Sequence, residues 1–288
     1  MTSIALYTFS GTGNTFLLAE MLKEAFEQQG CTVDALRIEE LHKSGKTPDM
    51  RTYDWVGIGA PVLGFTTPYI VYDFIKSLPE GKGQKVFIFR TAGGVQEINY
   101  NASKSLIRRL ERKGYIVTYE RILAFSSNWA EKFDTQVILR LIDATREKVP
   151  AMCAEILAGK ERRYSVGIVQ RVLLDILSPL VRLGFRQFGK DYTVNDDCIH
   201  CGLCIENCPV DNIHEVDGKI KFKSNCMSCM RCIYACPTDA IHFRLFKFTV
   251  VKGGYDLSKI LATPKLEGTL EGVKKPGFYE EYVRNLDF

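Results

Sequence analysis

The chain has 288 residues, is 46% hydrophobic and 25% charged, and so belongs with ordinary globular proteins of about two domains. Its net charge of +4 is small and spread along the chain, which argues against nucleic acid as a partner. No apolar run reaches the roughly 18 residues that a membrane-spanning helix needs.

Met1 leads straight into a strand-like run and a glycine loop, with neither a basic leader region nor a cleavage site. A reducing cytoplasm is the expected compartment. Cys31 and Cys153 stand apart from the other eight cysteines and read as buried, inert thiols.

Residues 1–158 alternate strand and helix signals. Residues 4–9 form a short apolar run of the kind found in buried parallel strands. Residues 16–29 follow with helical spacing, Leu17, Met21, Leu22 and Phe26 lying on one side and Gly30 acting as the stop. Further strands are predicted at 32–38, 53–59, 85–90 and 115–124, and helices at 69–77, 98–113 and 132–157. Trp55, inside the third strand, reads as core. Five strands with intervening helices imply an α/β doubly wound parallel sheet. A ligand then sits beyond the carboxyl ends of the strands, at the point where their order reverses.

The first loop suggests the kind of ligand. Ser10, Gly11, Thr12, Gly13, Asn14 and Thr15 are rich in hydroxyls and glycine and open a helix. Backbone N–H groups at a helix N-terminus attract phosphate, and the hydroxyls and the Asn14 amide add neutral donors. The loop has no lysine or arginine. It therefore suits a monophosphate ester better than a magnesium triphosphate, which calls for G-x4-G-K-[ST]. An ordinary capped turn is the plain alternative. A dinucleotide fingerprint is less apt, because Phe16 stands where its third glycine would be.

Residues 159–190 read as a helical connector. Val169, Val172, Leu173, Ile176, Leu177, Leu180, Gly184 and Phe188 fall at helical spacing, with Arg171, Asp175, Ser178 and Arg182 on other faces. Pro179 is expected to kink or split the helix. Seven basic residues against two acids give the segment a net charge of +5. A basic amphipathic helix can lie on a membrane, but the favoured expectation is a stripe packed on the preceding domain.

Residues 191–242 carry the strongest signal. Cys198, Cys201, Cys204 and Cys208 precede Pro209, and Cys226, Cys229, Cys232 and Cys236 precede Pro237. Both sets read C-x2-C-x2-C-x3-C-P, the spacing that binds two [4Fe–4S] clusters, with each fourth cysteine serving the other cluster. One cluster takes Cys198, Cys201, Cys204 and Cys236, and the second takes Cys226, Cys229, Cys232 and Cys208. Zinc sites come more often as separated C-x2-C pairs, and disulfides suit small secreted chains. With eight cysteines completing both clusters, His200 and His214 are not expected to be ligands. Arg231, between two of the cysteines, reads as a surface charge. In the remaining extension, 243–288, residues 243–251 alternate as a strand would and Gly253-Gly254 marks a turn. The extension either wraps back over the first domain or meets a partner.

With the loop at 8–15 and the two cysteine sets on the page, the chain resembles the prokaryotic flavodoxin–ferredoxin fusion proteins over about residues 1–242. The resemblance implies strand order 2-1-3-4-5 and FMN as the ligand of the first domain. It places the FMN phosphate at Ser10 to Thr15. The isoalloxazine would lie between the loop Ala60, Pro61, Val62, Leu63, Gly64 and Phe65 and the loop Thr91, Ala92, Gly93, Gly94 and Val95. Flavodoxins often stack aromatic rings here, and Phe65 and Tyr100 are the candidates. Trp129 is either a cover for the flavin or an anchor for the helix that follows it. No catalytic acid or base stands out near these loops, so an electron carrier serving redox partner proteins is expected. A flavin-dependent reductase of a small molecule and a redox sensor are the alternatives.

Overall fold

The computed structural model describes residues 1–164 and 167–285. The strand signals of the first domain become β1 (Ser3–Thr8), β2 (Thr32–Arg37), β3 (Trp55–Pro61), β4 (Lys85–Ala92) and β5 (Ile116–Ala124). All neighbouring pairs are parallel, and the order is β2-β1-β3-β4-β5. This is the flavodoxin-like doubly wound arrangement, whose switch point lies between β1 and β3. The interior strands are buried along all but their end residues because helices cover both faces. On one face lie α1 (Asn14–Gln28) and, later in the chain, the long α5 (Thr135–Leu157); on the other lie α3 (Tyr69–Ser77) and α4 (Asn101–Arg112). Trp55, Cys31 and Cys153 are buried in the first of these cores.

Several boundaries differ from expectation for local reasons. α2 (Ile38–Ser44) was not foreseen: only Ile38 and Glu39 are buried, which is too little apolar repeat to register. The helix expected at 98–113 is a 3-10 turn, Glu97–Tyr100, followed by α4. α5 (Thr135–Leu157) starts where the Asp134 carboxylate accepts from the Gln136 N–H at 2.8 Å, a side-chain N-cap.

α6 (Ile168–Phe188) occupies the connector and runs through Pro179 without splitting. The expected packing of its apolar stripe is not found. Leu174 and Phe185 are buried, but Val172, Leu173, Ile176, Leu177, Leu180 and Leu183 are exposed. Both sheet faces are already covered by α1, α3, α4 and α5, so α6 reaches only the rim of the domain. The side-chain expectations for Val169, Arg171, Asp175, Ser178 and Arg182 lie outside the described residues.

The cysteine-bearing segment is held by two small antiparallel pairs. β6 (Tyr192–Val194) pairs with β9 (Ile241–Phe243), and β7 (Ile213–Val216) with β8 (Lys219–Phe222). Between them lie the one-turn helices α7 (Leu203–Glu206) and α8 (Arg231–Tyr234). No strand spans 243–251. The Asp191 carboxylate accepts the Leu245 and Phe246 N–H groups at 2.9 and 3.0 Å and curls the chain into a 3-10 turn, Lys247–Thr249. The rest of the extension wraps back over the first domain. Tyr255 and, within α9 (Leu257–Ala262), Ile260 enter the α1–α5 core. Tyr279 and Tyr282 of α10 (Tyr279–Arg284) pack with Val137 and Leu141 of α5.

Candidate functional site

At the switch point, the carboxyl ends of β1, β3, β4 and β5 surround a cavity of about 260 Å³. Its lining includes Ser10, Gly11, Thr12, Asn14, Thr15, Pro61, Val62, Leu63, Gly64, Thr91, Ala92, Gly93 and Trp129. Gly13, Ala60, Phe65, Gly94 and Val95, grouped with these by sequence, do not line it. Phe9, Pro68 and the 125–128 loop complete the wall of the first domain. No lining residue is charged.

The loop before α1 is held by its own side chains. The Ser10 hydroxyl accepts from the Gly13 and Thr15 N–H groups at 3.1 and 3.2 Å. Gly13 has φ of 101°, a left-handed conformation that favours glycine. Thr15 and Thr91 hydroxyls meet at 2.8 Å, tying the loops after β1 and β4 together. The Asn14 amide is engaged elsewhere: it donates to the Ser126 carbonyl at 3.1 Å and accepts from the Tyr255 hydroxyl at 2.7 Å. It braces the loop while also lining the cavity.

Neither expected stacking aromatic takes that position. Tyr100 is buried and stacks on Tyr164 with ring centroids 4.0 Å apart. Phe65 is exposed, with a positive φ of 60°. Trp129 is the aromatic ring in the cavity wall, set edge-on to Phe185 of α6 at 5.5 Å. Its Nε1 is enclosed, with no hydrogen-bond partner among the described residues.

The eight clustered cysteines ring two small hollows. One is lined by Cys198, Cys201, Cys204 and Cys236; the other by Cys208, Cys226, Cys229 and Cys232. Each hollow thus takes three cysteines from one set and the fourth from the other. The two halves repeat at 28 positions, backbone included: His200 and Ser228, Gly202 and Met230, and Asp211 and Asp239 all have positive φ. These bends curl each loop round its hollow. Backbone N–H groups point at the sulfurs, Asn212 to Cys208 Sγ at 3.2 Å and, one repeat later, Ala240 to Cys236 Sγ at 3.3 Å. Among the described residues no three His, Cys, Asp or Glu side chains converge on a single ion; a cubane needs its ligands spread over four corners. Burial pushes the Cys226 thiol up to about 12 and also raises Cys232 well above the ordinary thiol range. Such sulfurs become thiolates by binding metal rather than by losing a proton to water. Burial also raises Cys229, and the Arg231 guanidinium beside it pulls the other way.

The hollows differ in what they face. Cys201 is exposed. Ser228 and Cys229 line the large cavity itself. Gly11 makes this contact possible: a Cβ there would lie 2.4 Å from the Cys229 carbonyl oxygen. Arg231, expected as a surface charge, is a clamp between the two segments. Its Nε donates to the Gly11 carbonyl at 3.0 Å, its Nη2 to the Ser10 carbonyl at 2.5 Å and to Glu39 Oε1 at 2.8 Å, and its Nη1 to the Asn207 carbonyl at 3.3 Å. Local sequence holds no sign of this, because three of the four partners lie about two hundred residues away.

Comparison with known proteins agrees with this layout. Residues 190–237 match the family described as a 4Fe-4S dicluster domain. No curated protein matches the chain. Among solved structures, two-electron reduced flavodoxin from Megasphaera elsdenii is 26% identical, covering 41% of this chain and 84% of its own, with a TM-score of 0.34. Oxidised Flavodoxin 2 from Bacillus cereus is 18% identical, covering 55% and 99%, with a TM-score of 0.40. An NADH:FMN oxidoreductase, EMOB, in its apo form, is 13% identical, covering 59% and 94%, with a TM-score of 0.41. Strand order, rather than these scores, fixes the fold of the first domain. The chain thus joins a sheet of flavodoxin-like strand order to a segment that matches a 4Fe-4S dicluster domain.

Proposed function

We propose that this chain holds FMN in the switch-point cavity and two [4Fe–4S] clusters in the cysteine hollows, and that it passes electrons between redox partner proteins. The residue that carries this reading is Cys229, which lines both a cysteine hollow and the large cavity. Bound there, the clusters supply one-electron chemistry and the flavin one- or two-electron chemistry.

The residues suit that cargo. The Thr15 N–H of the first turn of α1 is held by the Ser10 hydroxyl; the hydroxyls of Ser10, Thr12 and Thr15 and the start of α1 line the cavity as a neutral donor set for a phosphate ester. The enclosed Trp129 Nε1 is a further donor in the wall. Arg231 and Gly11 fix the Cys229 loop against the phosphate loop, which favours the Cys226, Cys229, Cys232 and Cys208 cluster as the one nearest FMN. The other cluster, at exposed Cys201, then faces a partner. An uncharged cavity wall offers no general acid or base, so electron transfer is favoured over conversion of a substrate. The proposed organisation is a flavin domain at 1–158, a helical connector at 159–190, a dicluster domain at 191–242 and a bracing extension at 243–288.

Anaerobically purified protein should contain about eight irons and one FMN per chain. Stepwise photoreduction followed by EPR and visible absorption should resolve three redox centres. Zinc in place of iron, about four irons, FAD, or no flavin would each overturn the corresponding assignment.

A further inference from the structure

α6 turns a broad apolar face to solvent. Val172, Leu173, Ile176, Leu177, Leu180 and Leu183 are exposed, Ile176 at 61% and Leu180 at 60%. At about 100° per residue these six occupy roughly 140° of the helix circumference as one contiguous strip. Leu174 and Phe185, on the adjoining arc, turn inward and hold the helix to the protein. At the end of α6, Phe188 packs on Phe246, ring centroids 4.5 Å apart. The turn carrying Phe246 exposes two more large apolar side chains, Leu245 and Phe248. The two exposed groups thus meet at one joint.

The net charge of these two segments is positive. Residues 168–190 carry four basic residues and one acid, and residues 244–252 add Arg244, Lys247 and Lys252 with no acid; Lys160, Arg162 and Arg163, just before α6, are paired with Glu155 and Glu111 of the first domain. We infer that α6 and the 245–248 turn form an anchor for an anionic membrane surface, with the helix lying in the headgroup plane. A helix with a wide apolar face and basic flanks sinks about 5–10 Å into that boundary, and basic side chains near it gain from anionic lipid. Among the described residues no helix is long and apolar enough to cross a membrane, which leaves the in-plane mode. A second copy of the chain fits this face less well, since two-fold pairing would bring the same basic surface against itself.

The test uses full-length protein purified anaerobically, sedimented with vesicles of phosphatidylcholine alone or mixed with phosphatidylglycerol. The wild type should sediment with the anionic vesicles, less so as salt is raised, and remain in solution with the neutral ones. The variant I176E/L180E changes two exposed positions, so its circular dichroism and visible spectrum should match the wild type. Its binding should fall by about tenfold or more. Equal binding by both proteins, or no wild-type binding to either vesicle, overturns the inference. A dimer lost in the variant, without vesicle binding, assigns the face to a second copy instead. Capture of an acidic protein, without vesicle binding, assigns it to that partner. The readout does not depend on cofactor content, so it stands apart from the proposed function.

Discussion

Arg231 Nη2 lies 2.8 Å from Glu39 Oε1, joining residues 192 positions apart. The Glu39 side chain is 6% exposed and the Arg231 side chain 18%. In the other repeat, 28 positions earlier, Leu203 stands where Arg231 does, so the clamp belongs to one cysteine loop alone. Replacing Arg231 with Leu removes three carbonyl contacts and leaves a buried carboxylate without its cation. The expected cost is about 3 kcal/mol in denaturant unfolding of the full chain. R231L/E39L should recover part of it, since the stranded charge is gone. R231K should fall between, keeping the charge and losing the planar fork. A loss under about 0.5 kcal/mol for R231L would mean that the pair is only a surface contact.

The crossed cysteine hollows predict an unequal pair of variants. C201S and C208S should each lower iron from about eight to about four per chain. C208S sits late in the first set by sequence, yet it should empty the hollow shared with Cys226, Cys229 and Cys232. That hollow borders the large cavity. C208S should therefore raise flavin emission relative to the wild type by removing a nearby quencher, as C229S should, while C201S leaves it low. Matching flavin signals from C208S and C201S would contradict the crossed assignment.

Much of this architecture is legible in sequence where the signal is local. The runs that became β1, β3 and β4 are apolar because helices bury both sides, and the C-x2-C-x2-C-x3-C spacing is a wrapping geometry written directly in the chain. What sequence missed depends on distant partners. Arg231 resembles any surface arginine until the phosphate loop arrives beside it. The α6 stripe shows which side chains share a face and says nothing of what covers them; the sheet had no face left to offer. The alternation at 243–251 imitates a strand, but the Asp191 carboxylate captures the N–H groups that a neighbouring strand would need. The resemblance to flavodoxins drew attention to Phe65 and Tyr100, and folding spends Tyr100 on Tyr164.

The extension reaches the candidate flavin loop through Tyr255, whose hydroxyl donates to Asn14 Oδ1 at 2.7 Å in a buried site. Asn14 passes the constraint on, donating to the Ser126 carbonyl at 3.1 Å. Tyr282 offers a matched control. Its hydroxyl accepts from the Ala124 N–H at 3.1 Å and meets the Thr145 hydroxyl at 2.8 Å, equally buried, on residues outside the cavity wall. Y255F and Y282F each remove one buried hydroxyl and should each cost about 1–2 kcal/mol in thermal or denaturant unfolding. Only Y255F frees the Asn14 amide to rotate and loosens the loop before α1. FMN titration followed by flavin fluorescence should show weaker binding, by about fivefold or more, for Y255F and near wild-type binding for Y282F. Equal flavin affinity in the two variants would reduce Tyr255 to a packing residue and separate the extension from the site.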